Sequence, residues 1–180
     1  MRFMIKTIAL LILTAVAGLL SYASTQPDVF SVQRSTHIKA NADKIQPLIS
    51  DMHQFNRWNP YNKKDPAMQS SYEGPGDGPG ALYRFKGDKN VGSGSISITA
   101  VQAGKVTMAL DMTEPFACHN IIEFTLKPQG DGTDVTWAMH GPSNFISKVM
   151  GVVINMDKMV GGDFEAGLSS LKALAEAPPH

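Results

Sequence analysis

Along the last fifth of the chain, apolar residues recur mostly at intervals of three and four: Phe145, Val149, Val152, Val153, Met156, Met159, Val160, Phe164, Leu168, Leu171 and Leu174. That spacing lays one broad stripe on a helix of 3.6 residues per turn. Ser147, Lys148, Asn155, Asp157, Lys158, Glu165, Ser169 and Lys172 fall mostly on the remaining surface. Pro142-Ser143-Asn144 supplies start chemistry and Pro178-Pro179 a stop. The spacing therefore predicts one helix over roughly 144–175, about 45 Å long. A helix of that length suits a curved sheet better than a small bundle. Gly161-Gly162 sits in its middle, where the pair costs about 1–2 kcal/mol relative to alanine. Either the helix is tightly packed or kinked there, or it thins to admit a ligand or to flex.

Such a helix needs a sheet, and the middle of the chain supplies one. Phe30, Val32, Arg34, Thr36 and Ile38 alternate with Ser31, Gln33, Ser35 and His37, as in a half-buried strand. Ala40-Asn41-Ala42-Asp43 then opens a short helix with Ile45, Leu48, Ile49 and Met52 on its apolar side. Pro47 inside that pattern points to a break or a first turn. Trp58-Asn59-Pro60-Tyr61 either anchors a loop on the core or forms the mouth of a cavity. From Met68 onward strands alternate with turns. Tyr83 and Phe85 share a face, as do Ile96 and Ile98, then Val106, Met108, Leu110 and Met112, then Ile122, Phe124 and Leu126, then Val135, Trp137 and Met139. Gly74-Pro75-Gly76-Asp77-Gly78-Pro79-Gly80 is loop chemistry and lacks the GK[ST] ending of a phosphate cradle. Strands at this spacing form an antiparallel meander with one buried face. The expected architecture is α+β: strand, two short helices, about six strands, long helix.

The N-terminal segment reads differently. Arg2 and Lys6 precede an uncharged, mostly apolar run from Thr7 to Leu20, the layout of a secretory signal. Ser21-Tyr22-Ala23 offers small residues at the positions a signal peptidase reads. The other reading is an uncleaved anchor; both put the following domain outside the cytoplasm, in the periplasm or on the inner membrane. No cysteine follows the run, so a lipoprotein anchor does not fit. The expected layout is a signal or anchor over 1–23, a linker over 24–28, one domain over 29–176 and a tail over 177–180.

The 180 residues suffice for one domain with a sizeable core. With 16 basic and 16 acidic residues the net charge is zero, and nothing marks a nucleic-acid binder. Ten methionines suit an adaptable core. Cys118 is the single cysteine, so no intramolecular disulfide forms, and a buried inert thiol is expected. His37, His53, His119, His140 and His180 show no metal-type spacing. Arg34 shares the inward face of its strand with Phe30 and Val32, and an inward charge needs a partner. An acid of the C-terminal helix, Glu165 or Asp163, is the expected one; a cation for an anionic ligand is the alternative.

Taken in order, several stretches resemble the START/birch-allergen-like (SRPBCC) superfamily, and within it the polyketide cyclase/dehydrase-like group. They are the first strand with Ala40-Asn41-Ala42, Asp51 through Trp58-Asn59-Pro60, the glycine-rich turns, Gly132-Thr133-Asp134-Val135-Thr136-Trp137, and Gly162-Asp163-Phe164-Glu165 through Gly167-Leu168 and Leu171-Lys172. The resemblance implies a helix-grip fold, a seven-stranded curved sheet wrapped around a long C-terminal helix with an apolar cavity between them. It also implies binding of lipids, sterols, polyketides or other hydrophobic molecules, with catalysis in some members.

On this basis the expected function is binding of a hydrophobic small molecule or lipid, with no cofactor and no metal. The candidate lining is Trp58, Tyr83, Phe85, Met108, Phe124, Trp137, Met139, Met156 and Phe164, with Arg34 as a possible polar cavity residue. Each of these side chains is also an ordinary core residue by composition. The alternatives are a cofactor-independent enzyme of the cyclase/dehydrase type in the same cavity, or an envelope protein-interaction module. Catalysis needs convergent acid and base groups. His119, His140, Asp111 and Glu123 fall on the outward phase, leaving Arg34 and Tyr83 as the inward polar residues. Membrane contact is expected through the N-terminal segment if it is retained.

Overall fold

The computed structural model describes residues 2–153 and 155–178, apart from the side chains of Arg2, Phe3, Val153 and Met156. Pro179 and His180 of the expected tail, and the side chain of Met156, therefore lie outside the described residues. An N-terminal helix α1 (Arg2–Ser24) leads through four residues into strand β1 (Val29–Ile38). Three short helices follow where two were expected, α2 (Ala42–Ser50), α3 (Met52–Trp58) and the single turn α4 (Tyr61–Lys64). Six strands come next: β2 (Gln69–Glu73), β3 (Leu82–Lys86), β4 (Ser93–Gln102), β5 (Lys105–Glu114), β6 (Cys118–Gln129) and β7 (Gly132–Pro142). Two helices close the chain, α5 (Phe145–Val153) and α6 (Met156–Glu176).

All seven strands form one antiparallel sheet in the order β1-β7-β6-β5-β4-β3-β2. After β1 the chain crosses to the far edge and returns strand by strand until β7 pairs with β1. The registers carry one apolar row across the sheet: Val32 faces Met139, Met139 faces Ile122, Ile122 faces Met108 and Met108 faces Ile98. Period-two alternation puts this row on one side. There α2, α3 and α6 cover it, and Ile45, Ile49, Phe55, Phe164, Leu168 and Leu171 complete a single core. Register shifts in β4 at Ser93/Gly94 and Ile98/Ala100 bend the sheet locally. The expected α+β, helix-grip architecture is the one found.

Two local expectations are corrected. The C-terminal stripe is not one helix: α5 and α6 are separate, and the Asn155 side chain caps α6 by accepting from Lys158 N. The apolar periodicity runs on across the junction because each helix keeps its own stripe. Pro47 does not break α2, which continues to Ser50. The helix ends instead where the Asp51 carboxylate accepts from His53 N and Gln54 N and caps α3.

The paired glycines of α6 have separate roles. A Cβ on Gly161 would overlap the Arg34 guanidinium, whereas Gly162 faces open space. Close packing is thus the reading the structure supports for Gly161. Replacing Gly162→Ala should stabilise the fold by about 0.4–1 kcal/mol, because only the unfolded chain loses freedom. Gly161→Ala should destabilise it by about 1–3 kcal/mol by pushing Arg34 off its partners. Urea denaturation of the two variants checks this opposite pair of signs.

Candidate functional site

The centre of the core is a box of aromatic rings. Trp137 on β7 lies parallel to Phe164 on α6, with ring centres 4.1 Å apart and planes 9° from parallel. Trp58, at the end of α3, meets Trp137 edge-on at 5.6 Å and Phe124 edge-on at 5.8 Å. Phe124 on β6 stands 5.1 Å from Trp137. Aromatic pairs favour such stacked and edge-to-face arrangements. The helix reaches this depth because Gly167 has no side chain: a Cβ there would lie 2.6 Å from the Trp137 ring.

The two indoles differ in one respect. Trp58 Nε1 donates to Leu48 O at 2.7 Å. Trp137 is equally buried, yet its Nε1 has no hydrogen-bond partner among the described residues. A buried N–H of this kind forgoes about 1–3 kcal/mol of solvation with nothing in exchange. It is the one buried side-chain polar atom in that state among the described residues, and it belongs to a ring of the box.

A second aromatic row lies on β2 and β3 and ends at the surface on α3. Phe85 stacks on Tyr83 at 5.9 Å, Tyr83 lies 5.3 Å from Tyr72, and Tyr72 stacks on His53 at 3.9 Å. Asparagines on α3, α4 and the link between them line this row. Tyr83 Oη donates to Asn62 Oδ1 at 3.2 Å, Asn62 Nδ2 donates to Asn56 O at 2.7 Å, and Asn56 Nδ2 donates to Tyr72 Oη at 3.0 Å. Burial pushes the Tyr83 phenol up to about 12, so it remains a donor. The sequence reading missed Asn56, Asn59, Asn62, Tyr72 and His53; the spacing Asn56-x-x-Asn59-x-x-Asn62 is the signal that could have found the first three.

Arg34 is held by two acids of α6. Its guanidinium donates to both carboxylate oxygens of Asp157 at 3.0 and 3.1 Å, to Asp157 O at 3.1 Å and to Glu165 Oε1 at 2.8 Å. The Asp157 bonds, then the Glu165 bond, hold its charge, and Asp157 in turn is kept below the usual carboxylate range. Glu165 is therefore a partner as expected, Asp157 was not anticipated, and Asp163 instead pairs with Lys64 at 2.6 Å. Asp163 and burial together raise the Tyr61 phenol, with burial the larger cause.

The remaining sequence candidates sort by depth. Trp58, Tyr83, Met108, Phe124, Trp137, Met139 and Phe164 are all core residues, and Phe85 is half-buried. His119 bonds Asp111 at 2.6 Å on the sheet's outer face, away from the box. Cys118 is half-buried rather than fully buried, and burial raises its thiol pKa. Among the described residues no cluster of three His, Cys, Asp or Glu side chains converges on a metal-sized site. The two best-formed concavities among them are open grooves. One of about 630 Å³ lies on the outer face of β2–β5 along Ser71, Arg84, Ser95 and Asp111; one of about 310 Å³ lies between α2 and the β4–β5 turn.

A sheet gripping its C-terminal helix over an aromatic box defines the helix-grip class. A family model described as polyketide cyclase / dehydrase and lipid transport matches residues 29–176, and the chain belongs to that family. Comparison with curated proteins gives no match. Among solved structures, protein CV1439 from Chromobacterium violaceum is 13% identical, with a TM-score of 0.59 over 85% of this chain and 100% of its own. Protein MLL2253 from Mesorhizobium loti is 14% identical, at 0.61 over 84% and 100%. Major latex-like protein 151 from Panax ginseng is 13% identical, at 0.57 over 84% and 100%. At these identities the likeness is one of fold.

The two indoles give a direct comparison. Trp58→Phe removes a bonded donor and strands Leu48 O, while Trp137→Phe removes a donor that bonds nothing. With similar ring area lost, Trp58→Phe should be the more destabilising by about 1–3 kcal/mol, as measured by urea denaturation of delipidated protein.

Proposed function

We propose that this chain binds a hydrophobic small molecule or lipid between the sheet and α6, on a domain tethered to a membrane by α1. The observation that carries the reading is the buried, unpartnered Nε1 of Trp137, a ring of the aromatic box. A ligand with an apolar body and one acceptor atom would complete that donor and exchange its own hydration for the surrounding rings. Burial of each such contact contributes about 1.5–3 kcal/mol per large side chain. Met108 and Met139 border the rings, and methionine's flexible, polarizable side chain can repack around a guest. The row Phe85–Tyr83–Tyr72–His53 would be the route in, since Tyr72 is exposed and Phe85 half-buried. The family description, which includes lipid transport, supports the same reading. Catalysis has less support: both inward polar candidates, Arg34 and Tyr83, already spend their hydrogen bonds within the protein.

The tether rests on α1. Met4–Ser24 is a 21-residue stretch of mean hydropathy 2.1, long and apolar enough to cross a bilayer. Arg2 and Lys6 at its start favour a cytoplasmic N-terminus, which puts the domain on the far side. Helix continues through the Ser21-Tyr22-Ala23 site, and Ala23 is fully buried, which supports retention over cleavage.

Native mass spectrometry of the full chain, released from its own host's membranes in mild detergent, tests the binding reading, with organic extraction of what co-purifies. A stoichiometric hydrophobic molecule is expected. A folded chain that flies empty and ignores a panel of lipids, sterols and polyketides would sink it.

A further inference from the structure

Resting on the tether described above, the geometry points to α5 as an interfacial helix, lying in the headgroup region of the bilayer that α1 crosses. The sequence Phe145-Ile146-Ser147-Lys148-Val149-Met150-Gly151-Val152-Val153 has two polar residues in nine. A helix apolar around most of its circumference is stable in water only when something covers it. Here Phe145 is 50% exposed, Ile146 62% and Met150 37%. The element packed most closely against α5 is α1. At about 13 Å, nine residues are too short to cross a bilayer and long enough to lie along its surface.

The occupant follows from where α5 is attached. Val29 pairs with Pro142, Ser143 N donates to Asp28 O at 2.8 Å, and Lys148 Nζ donates to the Asp28 carboxylate at 2.5 Å. Only residues 25–28 separate the end of α1 from Val29, a reach of no more than about 17 Å. If α1 crosses the membrane, α5 is held beside its exit. α1 is a poor cover by itself, since none of its own most apolar window is buried; pairing the two helices in water leaves most of both uncovered, whereas lipid covers both.

The rest of the surface agrees. Outside α1, seven large apolar side chains are exposed among the described residues, and Tyr72 is the one in the aromatic row with Tyr83. The other six are Val29, Phe116, Phe145, Ile146, Met150 and Met159. The registers put Phe116, at the tip of the β5–β6 connection, at the same end of the sheet as Val29 and Pro142. Met159 follows α5 in the first turn of α6. An apolar patch confined to the end where a spanning helix leaves the domain is what a bilayer-facing surface requires.

The test uses the full chain in vesicles of phosphatidylethanolamine and phosphatidylglycerol, with Cys118→Ser removing the native thiol. A fluorescent label is placed at Ile146→Cys and, as a control, at Lys127→Cys, about 30 Å along β6 from its α5-side end. Lipids carrying a nitroxide near the headgroup should quench the first label at least about twofold more than the second. Equal quenching overturns the proposal. So does a blue-shifted but unquenched label at 146, the signature of cover by α1 or by a second copy. Alkaline carbonate extraction of the same vesicles reads the tether separately. A retained chain with an unquenched label sinks the interfacial helix and leaves the tether standing. A released chain sinks the tether, and the label then decides α5 alone: quenched, it stands as a peripheral membrane contact; unquenched, it falls.

Discussion

The fold depends on how closely α6 approaches the sheet. Two glycines set that distance. Gly167 lets the helix settle over Trp137, so that Phe164 stacks on the indole, and Gly161 leaves room for Arg34 to reach the helix from β1. The Arg34 contacts then fasten the helix: Asp157 one turn before Gly161 and Glu165 one turn after it hold the same guanidinium. These are partly exposed ion pairs, and pairs of that kind stabilise little individually. Their value is positional, because a bidentate guanidinium admits few geometries. Burial of the rings drives the association; the arginine selects its register.

With the helix so placed, the aromatic box is closed on four sides by β6, β7, α3 and α6. Every buried polar side-chain atom within it finds a partner except Trp137 Nε1. Native interiors rarely leave a donor in that state, and one that persists calls for a reason. A hydrogen-bond acceptor carried by a bound molecule would supply one. On the proposed reading, the asparagine-lined aromatic row would be the entry for such a molecule. If α1 and α5 hold one end of the domain at a bilayer, the molecule has a source close by. Family, box and membrane-facing end thus describe one reading at three scales.

Much of the scaffold was legible because it rests on periodicity. Alternation along β1 and β3–β7 identified the inward faces of Val32, Met108, Phe124 and Trp137, and the turns between strands gave the meander. Arg34 was recognisable as a charge in need of an acid because it shares a face with Phe30 and Val32. The break between α5 and α6 was harder, since an apolar stripe reads the same through a junction that keeps each half in phase. Its signal was local: Asn155 with Asp157 two residues on is start chemistry inside an apparent helix. The same oversight hid Asp157 as the principal partner of Arg34. Trp137's unpaired donor was not legible at all. Whether an indole N–H is satisfied depends on carbonyls brought near by the tertiary fold; Leu48 O reaches Trp58 and nothing comparable reaches Trp137.

Two tryptophans in the chain mean two indole N–H signals, and nitrogen-15 NMR of those signals tests the central claim most directly. The protein is delipidated and then titrated with whatever molecule extraction releases. The account requires the Trp137 resonance to move downfield as its donor becomes bonded, while Trp58, already held by Leu48 O, stays in place. If neither resonance moves while the molecule binds, or if Trp58 alone responds, the ligand lies elsewhere and the aromatic box is a packed core and nothing more.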